Sequence, residues 1–119
     1  MKKTLVLGAS ANPNRYSSIA IRRLLESGHP VVAMGNRPGI VHGTEVLTSP
    51  TPIEGVDTIT LYINPAIQQQ YYSYLIGLKP NRIIFNPGTE NPEFERLAGE
   101  AGIHCENACT LVLLSTDQY

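Results

Sequence analysis

Apolar residues along this chain come in short bursts separated by amphipathic stretches, and that alternation predicts the architecture. Thr4–Leu7 is an apolar run of strand length, closed by Gly8. From Tyr16 to Ser27, "YSSIAIRRLLES" puts Tyr16, Ile19, Ala20, Leu24 and Ser27 on one stripe. Arg22, Arg23 and Glu26 fall largely outside it, as in a surface helix. Gly28 suits the position after the helix C-terminus. Val31–Met34 reads as a buried second strand, ended by "GNRPG". Residues 40–55, broken by Gly43, Pro50 and Pro52, predict one or two short strands and a turn. Val56–Asn64, rich in β-branched residues, is the plainest strand.

Pro65 suits a first helical turn, and Ala66–Leu78 continues it with Ile67, Tyr71, Tyr74, Leu75 and Leu78 on one side. Arg82–Gly88 is another buried strand. Asn91–Gly102 is a short helix with Asn91 as N-cap, Pro92 at its first position, and Glu93 and Glu95 where the helix dipole favours acids. Ile103–Glu106 supplies a last strand, and the apolar "ACTLVLLSTDQY" a short helix packed back on the core. Repeated strand–helix alternation specifies an α/β fold. The expectation is an open, doubly wound, Rossmann-like parallel sheet of about five strands with helices on both faces, a single domain over residues 1–119.

Composition narrows the function. A chain of 119 residues buries roughly two-thirds of its extended surface, enough for one core. Its formal net charge of −1 argues against a broad nucleic-acid or anionic-membrane surface, so any anion must be held locally. No apolar run approaches the ~20 residues of a membrane span. "MKKTLVLGASANP" briefly imitates a signal peptide, but Leu5–Leu7 is too short for its apolar region, and a cytoplasmic protein is expected. The C-x3-C spacing of Cys105 and Cys109 fits neither a thioredoxin motif nor half a zinc site, so no metal is expected.

In open α/β sheets ligands sit beyond the carboxyl ends of the strands. Those ends are Gly8-Ala9-Ser10, Gly35-Asn36-Arg37, Ile63-Asn64-Pro65, Asn86-Pro87-Gly88 and Asn107, with no carboxylate among them. Gly8 lets the backbone approach a ligand, the first helix offers free N–H groups, and Arg15 adds a charge. On residues alone, Ser10 and Asn12 serve equally well as plain turn formers. "GASANPNR" lacks the second glycine of a dinucleotide fingerprint. "MGNRPG" likewise lacks the acid that grips a ribose diol; it has Arg37, suited to a ribose phosphate. NADP and coenzyme A both qualify.

The pattern G-A-S-x-x-P-x-R-x-S in Gly8–Ser17 resembles the first loop of the small CoA-binding domain proteins, single-domain relatives of the nucleotide-binding half of the succinyl-CoA synthetase α-subunit. Further similarities follow in order. Gly28 and the second strand are similar to the family's G-Y-x-V-x-P-V-N-P-K, with Arg37 at its lysine. Gly43, Val46 and Val56-Asp57 match the next stretch, then Phe85–Gly88, Ala98–Ile103 and Cys109. Gly35-Asn36, Asn86-Pro87 and Asn107-Ala108 depart from the family's residues.

The resemblance implies a small protein that binds CoA or an acyl-CoA. Backbone amides around Ala9, Ser10 and the first helical turn would hold the pyrophosphate, in a loop comprising Gly8, Pro13, Arg15, Tyr16 and Ser17. Arg37 would meet the ribose phosphate, with Gly35 and Asn36 beside it at the same strand end. Asn64, Pro65 and Gly88 would line the adenine or pantetheine side, with Asn86 and Asn107 at neighbouring strand ends.

No catalyst is expected beside this cradle. His29, His42 and His104 are read as structural or exposed, and Ser10 and Ser17 lack a base partner. The glutamates from Glu90 to Glu106 form a solvated face, and Tyr71, Tyr72 and Tyr74 a core or dimer contact. Cys109 beside a CoA thiol could form a mixed disulfide. The expected partners are the small-molecule ligand and a second copy or a CoA-dependent enzyme. Two alternatives stand: an NADP-type oxidoreductase fragment, and an interaction module that keeps the fold without the ligand.

Overall fold

All four residues of β1 (Thr4–Leu7) are buried, as a strand paired on both edges and covered on both faces requires. The computed structural model describes residues 1–119. After β1 come α1 (Tyr16–Glu26), β2 (Val31–Met34), β3 (Ile40–Val41), β4 (Thr44–Leu47), β5 (Thr58–Leu61), α2 (Pro65–Gln68) and α3 (Tyr72–Gly77). The chain then forms β6 (Arg82–Phe85), α4 (Pro92–Glu100), β7 (His104–Asn107) and α5 (Thr110–Ser115). One sheet runs β3-β4-β2-β1-β5-β6-β7, parallel throughout except for the antiparallel β3–β4 pair. The winding direction reverses between β1 and β5, which opens a crevice at their carboxyl ends.

Period-two alternation sorts the core. Leu5, Leu7, Met34, Ile59, Leu61, Ile83 and Phe85 pack with Leu75 of α3 and Phe94 and Ala98 of α4. Val6, Ala33 and Val46 pack with Ile21 and Leu24 of α1 and with Leu114 of α5. Phe94 anchors the first layer, stacking on Tyr72 at 4.5 Å and meeting Phe85 edge-on at 5.8 Å. The C-terminal segment does fold back: Tyr119 covers the Arg82 guanidinium at 4.4 Å, and its hydroxyl lies 2.5 Å from Thr4 Oγ1. Arg82 also pairs with Glu106 at 3.3 Å.

The strand count and two elements differ from the sequence expectation, whereas the short strands and turn expected within residues 40–55 are present. Residues 40–47 fold as a hairpin whose turn residues, His42 and Gly43, have φ of +48° and +81°, the signs of a type I′ turn. Its outgoing strand β4 extends the parallel sheet beside β2, so the sheet has seven strands. The continuous helix expected over Ala66–Leu78 is broken by a 3-10 turn at Gln69–Tyr71, which shifts the helical phase. Leu75 is consequently buried while Ile67 stays 40% exposed. The strand expected over Val56–Asn64 pairs only at Thr58–Leu61, and Tyr62–Asn64 leave the sheet.

Candidate functional site

Two close backbone approaches pin the loop after β1. Gly8 and Ala9 N–H both donate to Met34 O, at 2.8 and 2.9 Å. A Cβ on Gly35 would lie 2.3 Å from Ala9 O. A Cβ on Gly8, at φ +96°, would lie 2.8 Å from the Tyr62 carbonyl group. What comes close to Gly8 is therefore the segment just after β5, and the amides of Gly8 and Ala9 are already spent on β2. This corrects the expectation that Ala9 N–H belongs to an anion cradle.

Beyond Ala9 the loop satisfies itself only partly. Ser10 Oγ accepts from Asn12 N (3.1 Å), Asn12 Oδ1 from Asn14 N (3.0 Å), and Asn12 O from Arg15 N (3.1 Å). The side chains of Ser10 and Asn12 are thus turn formers. Arg15 occupies the N-cap of α1 and its side chain caps nothing. The N–H groups of Ser10, Tyr16 and Ser17 have no acceptor in the chain. The three residues that carry them line a cleft of about 690 Å³. Unpaired donors at a helix start carry the positive end of its dipole.

The cleft brings together most of the residues singled out from sequence. Gly8, Ala9, Ser10, Arg15, Tyr16 and Ser17 form one wall, and Gly35, Asn36 and Arg37 a second. Asn64 and Gly88 lie on the far side with Ile63, Pro87 and Thr89. Arg15 and Arg37 are exposed and belong to no ion pair, and no carboxylate lines the cleft. Such an arrangement favours an anion on both charge and hydrogen-bonding grounds.

Four expected residues lie elsewhere. Pro13 is exposed in the loop, and Pro65 starts α2. Asn107 faces Glu95, its Nδ2 lying 3.5 Å from Oε2. Asn86 is buried and committed: Nδ2 donates to Thr60 Oγ1 (2.6 Å) and Leu61 O (2.9 Å), while Oδ1 accepts from Thr110 N (2.9 Å). Both of its side-chain amide hydrogens are therefore taken within the chain.

Sequence reasoning placed Ile63 at a strand end but missed the rest of the apolar wall, Tyr62, Ile67 and Tyr71. Each reads as core in the sequence, and only the phase break after α2 turns Ile67 outward. Burial pushes the Tyr62 hydroxyl up to about 12, tempered by the nearby Thr60 and Thr110 hydroxyls. Those two bond each other at 2.9 Å, and the Tyr62 oxygen has no hydrogen-bond partner.

The other reactive side chains do not line the cleft. His29 packs on Tyr119 at the opposite edge of the sheet. His42 lies 3.3 Å from Ser18 Oγ, and His104 lies 3.8 Å from Glu106. Cys105 and Cys109 are free thiols, and burial pushes that of Cys105 up to about 11. No group of three or more His, Cys, Asp or Glu is placed to hold a metal, and no helix is long and apolar enough to cross a membrane.

A parallel sheet whose winding reverses at the cleft belongs to the Rossmann-like α/β class. More narrowly, the chain belongs to the CoA binding domain family, whose model matches residues 2–115. It is similar to solved structures over its whole length. A crystal structure described as an uncharacterized protein is 49% identical at TM-score 0.98, covering 100% of this chain and 98% of that one. A hypothetical protein from Pyrococcus horikoshii OT3 is 26% identical at TM-score 0.88, covering 97% and 82%. A Thermus thermophilus structure, cell-free ID.343, is 26% identical at TM-score 0.87, covering 99% and 90%. None of the curated proteins matches the chain.

Proposed function

We propose that this protein binds coenzyme A or an acyl-CoA in the cleft at the β1–α1 junction, without chemistry of its own. One observation carries the reading: α1 begins without a cap, leaving the N–H groups of Ser10, Tyr16 and Ser17 free, and these residues line a cleft that holds two unpaired arginines and no acid. These residues fit a diphosphate, and family membership supports CoA as the ligand class. The free amides and Arg15 would hold the diphosphate, and Arg37, beyond β2, the ribose phosphate. Ile63, Asn64, Ile67 and Gly88 would flank the adenine or pantetheine.

A thermal-shift panel of CoA, acetyl-CoA, dephospho-CoA, NAD and NADP tests this. Ligand at 100 times Kd adds about 2.7 kcal/mol of apparent stability. CoA should shift the melting temperature more than dephospho-CoA. Arg37→Ala should weaken CoA about tenfold, one exposed charge-assisted contact, and leave dephospho-CoA unchanged. Equal losses for both would reject that role for Arg37. A shift with NADP alone would favour an oxidoreductase fragment, and no shift with any of them an interaction module.

A further inference from the structure

Gln68, the last residue of α2, is completely buried, a rare setting for a primary amide. Its Nε2 donates to Ile63 O (2.9 Å) and Thr89 O (2.8 Å), and its Oε1 accepts from Asn91 Nδ2 (2.9 Å). Ile63 and Thr89 both line the cleft, one on the segment after β5 and the other on the segment after β6. Asn91 is itself fixed: Oδ1 caps α4 through Phe94 N (3.1 Å), and Nδ2 also donates to the Tyr72 hydroxyl (2.8 Å). That hydroxyl donates onward to Glu93 at 3.1 Å. The chain from Gln68 to Glu93 thus ties two cleft segments to the start of α4.

The site dictates the residue type. Two carbonyls converge on one nitrogen, and an amide N–H arrives from the other side. A neutral group that donates twice and accepts once is required; a buried ammonium or guanidinium would add a desolvation cost. An apolar side chain of the same size would leave two carbonyls and one N–H without partners.

We propose that Gln68 is a positioning residue for the ligand, touching none of it. By holding Ile63 O and Thr89 O on one amide it sets the distance between the two segments that flank the adenine or pantetheine, so the cleft is formed before the ligand arrives. This rests on the assignment of CoA to the cleft, and the experiment separates the two.

CoA and dephospho-CoA are titrated calorimetrically into wild type, Gln68→Met and, as a destabilised control remote from the cleft, Ile103→Ala, at a temperature where all three are folded. Hydrogen exchange of the free proteins is followed over residues 62–64 and 87–90. In Gln68→Met both ligands should weaken by the same factor, about tenfold, because the loss lies in shared preorganisation and not at Arg37. Exchange should accelerate in both segments and stay unchanged in residues 10–17. Ile103→Ala should lose stability and keep its affinity. Wild-type affinity in Gln68→Met, or an equal loss in the control, overturns the proposal.

If wild type binds no CoA, the ligand assignment fails. The exchange data then decide the positioning claim alone, unchanged rates in Gln68→Met overturning it. Should Gln68→Met not fold, Gln68→Glu replaces it. Its affinity relative to wild type should rise as pH falls and the carboxyl becomes a donor, and a flat ratio overturns the proposal.

Discussion

The β1–α1 and β6–α4 junctions lie at the same edge of one sheet and are built in opposite ways. At β6–α4 asparagine and glutamate side chains of the chain itself bond to backbone groups. Asn91 caps the helix, Asn86 ties β6 to β5 and α5, and Glu90 Oε1 accepts from Gly88 N at 2.8 Å. Asn64 caps α2 in the same manner, accepting from Ile67 N at 3.0 Å. At β1–α1 the N-cap is Arg15, a donor that cannot accept an amide proton, and the first turn is left with free N–H groups. Two helices are sealed by asparagine and one is left open beside two cations. The open one is where an anion lowers the energy most, and the ligand is proposed to lie there for that reason.

The largest expected effect comes from disturbing the open junction's backbone. Gly8→Ala puts a methyl 2.8 Å from the Tyr62 carbonyl group at φ +96°, combining overpacking with left-handed strain. It should cost about 3 kcal/mol or more in a denaturant melt. Next, Asn86→Ala strips the sealed junction and strands Thr110 N and Leu61 O. Stability should fall by about 2–3 kcal/mol, with CoA affinity of the folded protein staying within about threefold.

Arg15→Asp inverts the comparison, because it seals α1 as Asn91 seals α4. Stability should rise by about 1 kcal/mol while CoA affinity falls about 30-fold; stability and affinity falling together would break the account. The smallest change is Gly88→Ala, at φ +93° with open space around the added methyl. It should cost about 1 kcal/mol, set by backbone strain alone.

The two junctions also differ in how far the sequence exposes them. Gly8, Arg15 and Arg37, with no acid at the strand ends, are local signals that survive folding unchanged, so the cationic half of the cleft is readable from the chain. Which amides remain free is not, because Met34 O comes from another strand and takes two of them. Asn86 looks like a polar strand end and turns inward only because Thr60, Leu61 and Thr110 converge on it. Most of the apolar wall was hidden for another reason. Periodicity assumes one helical phase, and the 3-10 turn at Gln69–Tyr71 resets it. The β-branched and apolar strand runs, the alternation with helices and the Asn91 cap were legible, since each depends on its own residues and near neighbours.

The most direct measurement is an amide proton–nitrogen NMR titration of the protein with CoA. Hydrogen bonding to a diphosphate should move the Ser10, Tyr16 and Ser17 amide resonances far more than that of Phe94, which the Asn91 side chain already satisfies. Saturating shifts confined to residues 86–94, or no shift at residues 10–17, would contradict the assignment of the ligand to the uncapped start of α1.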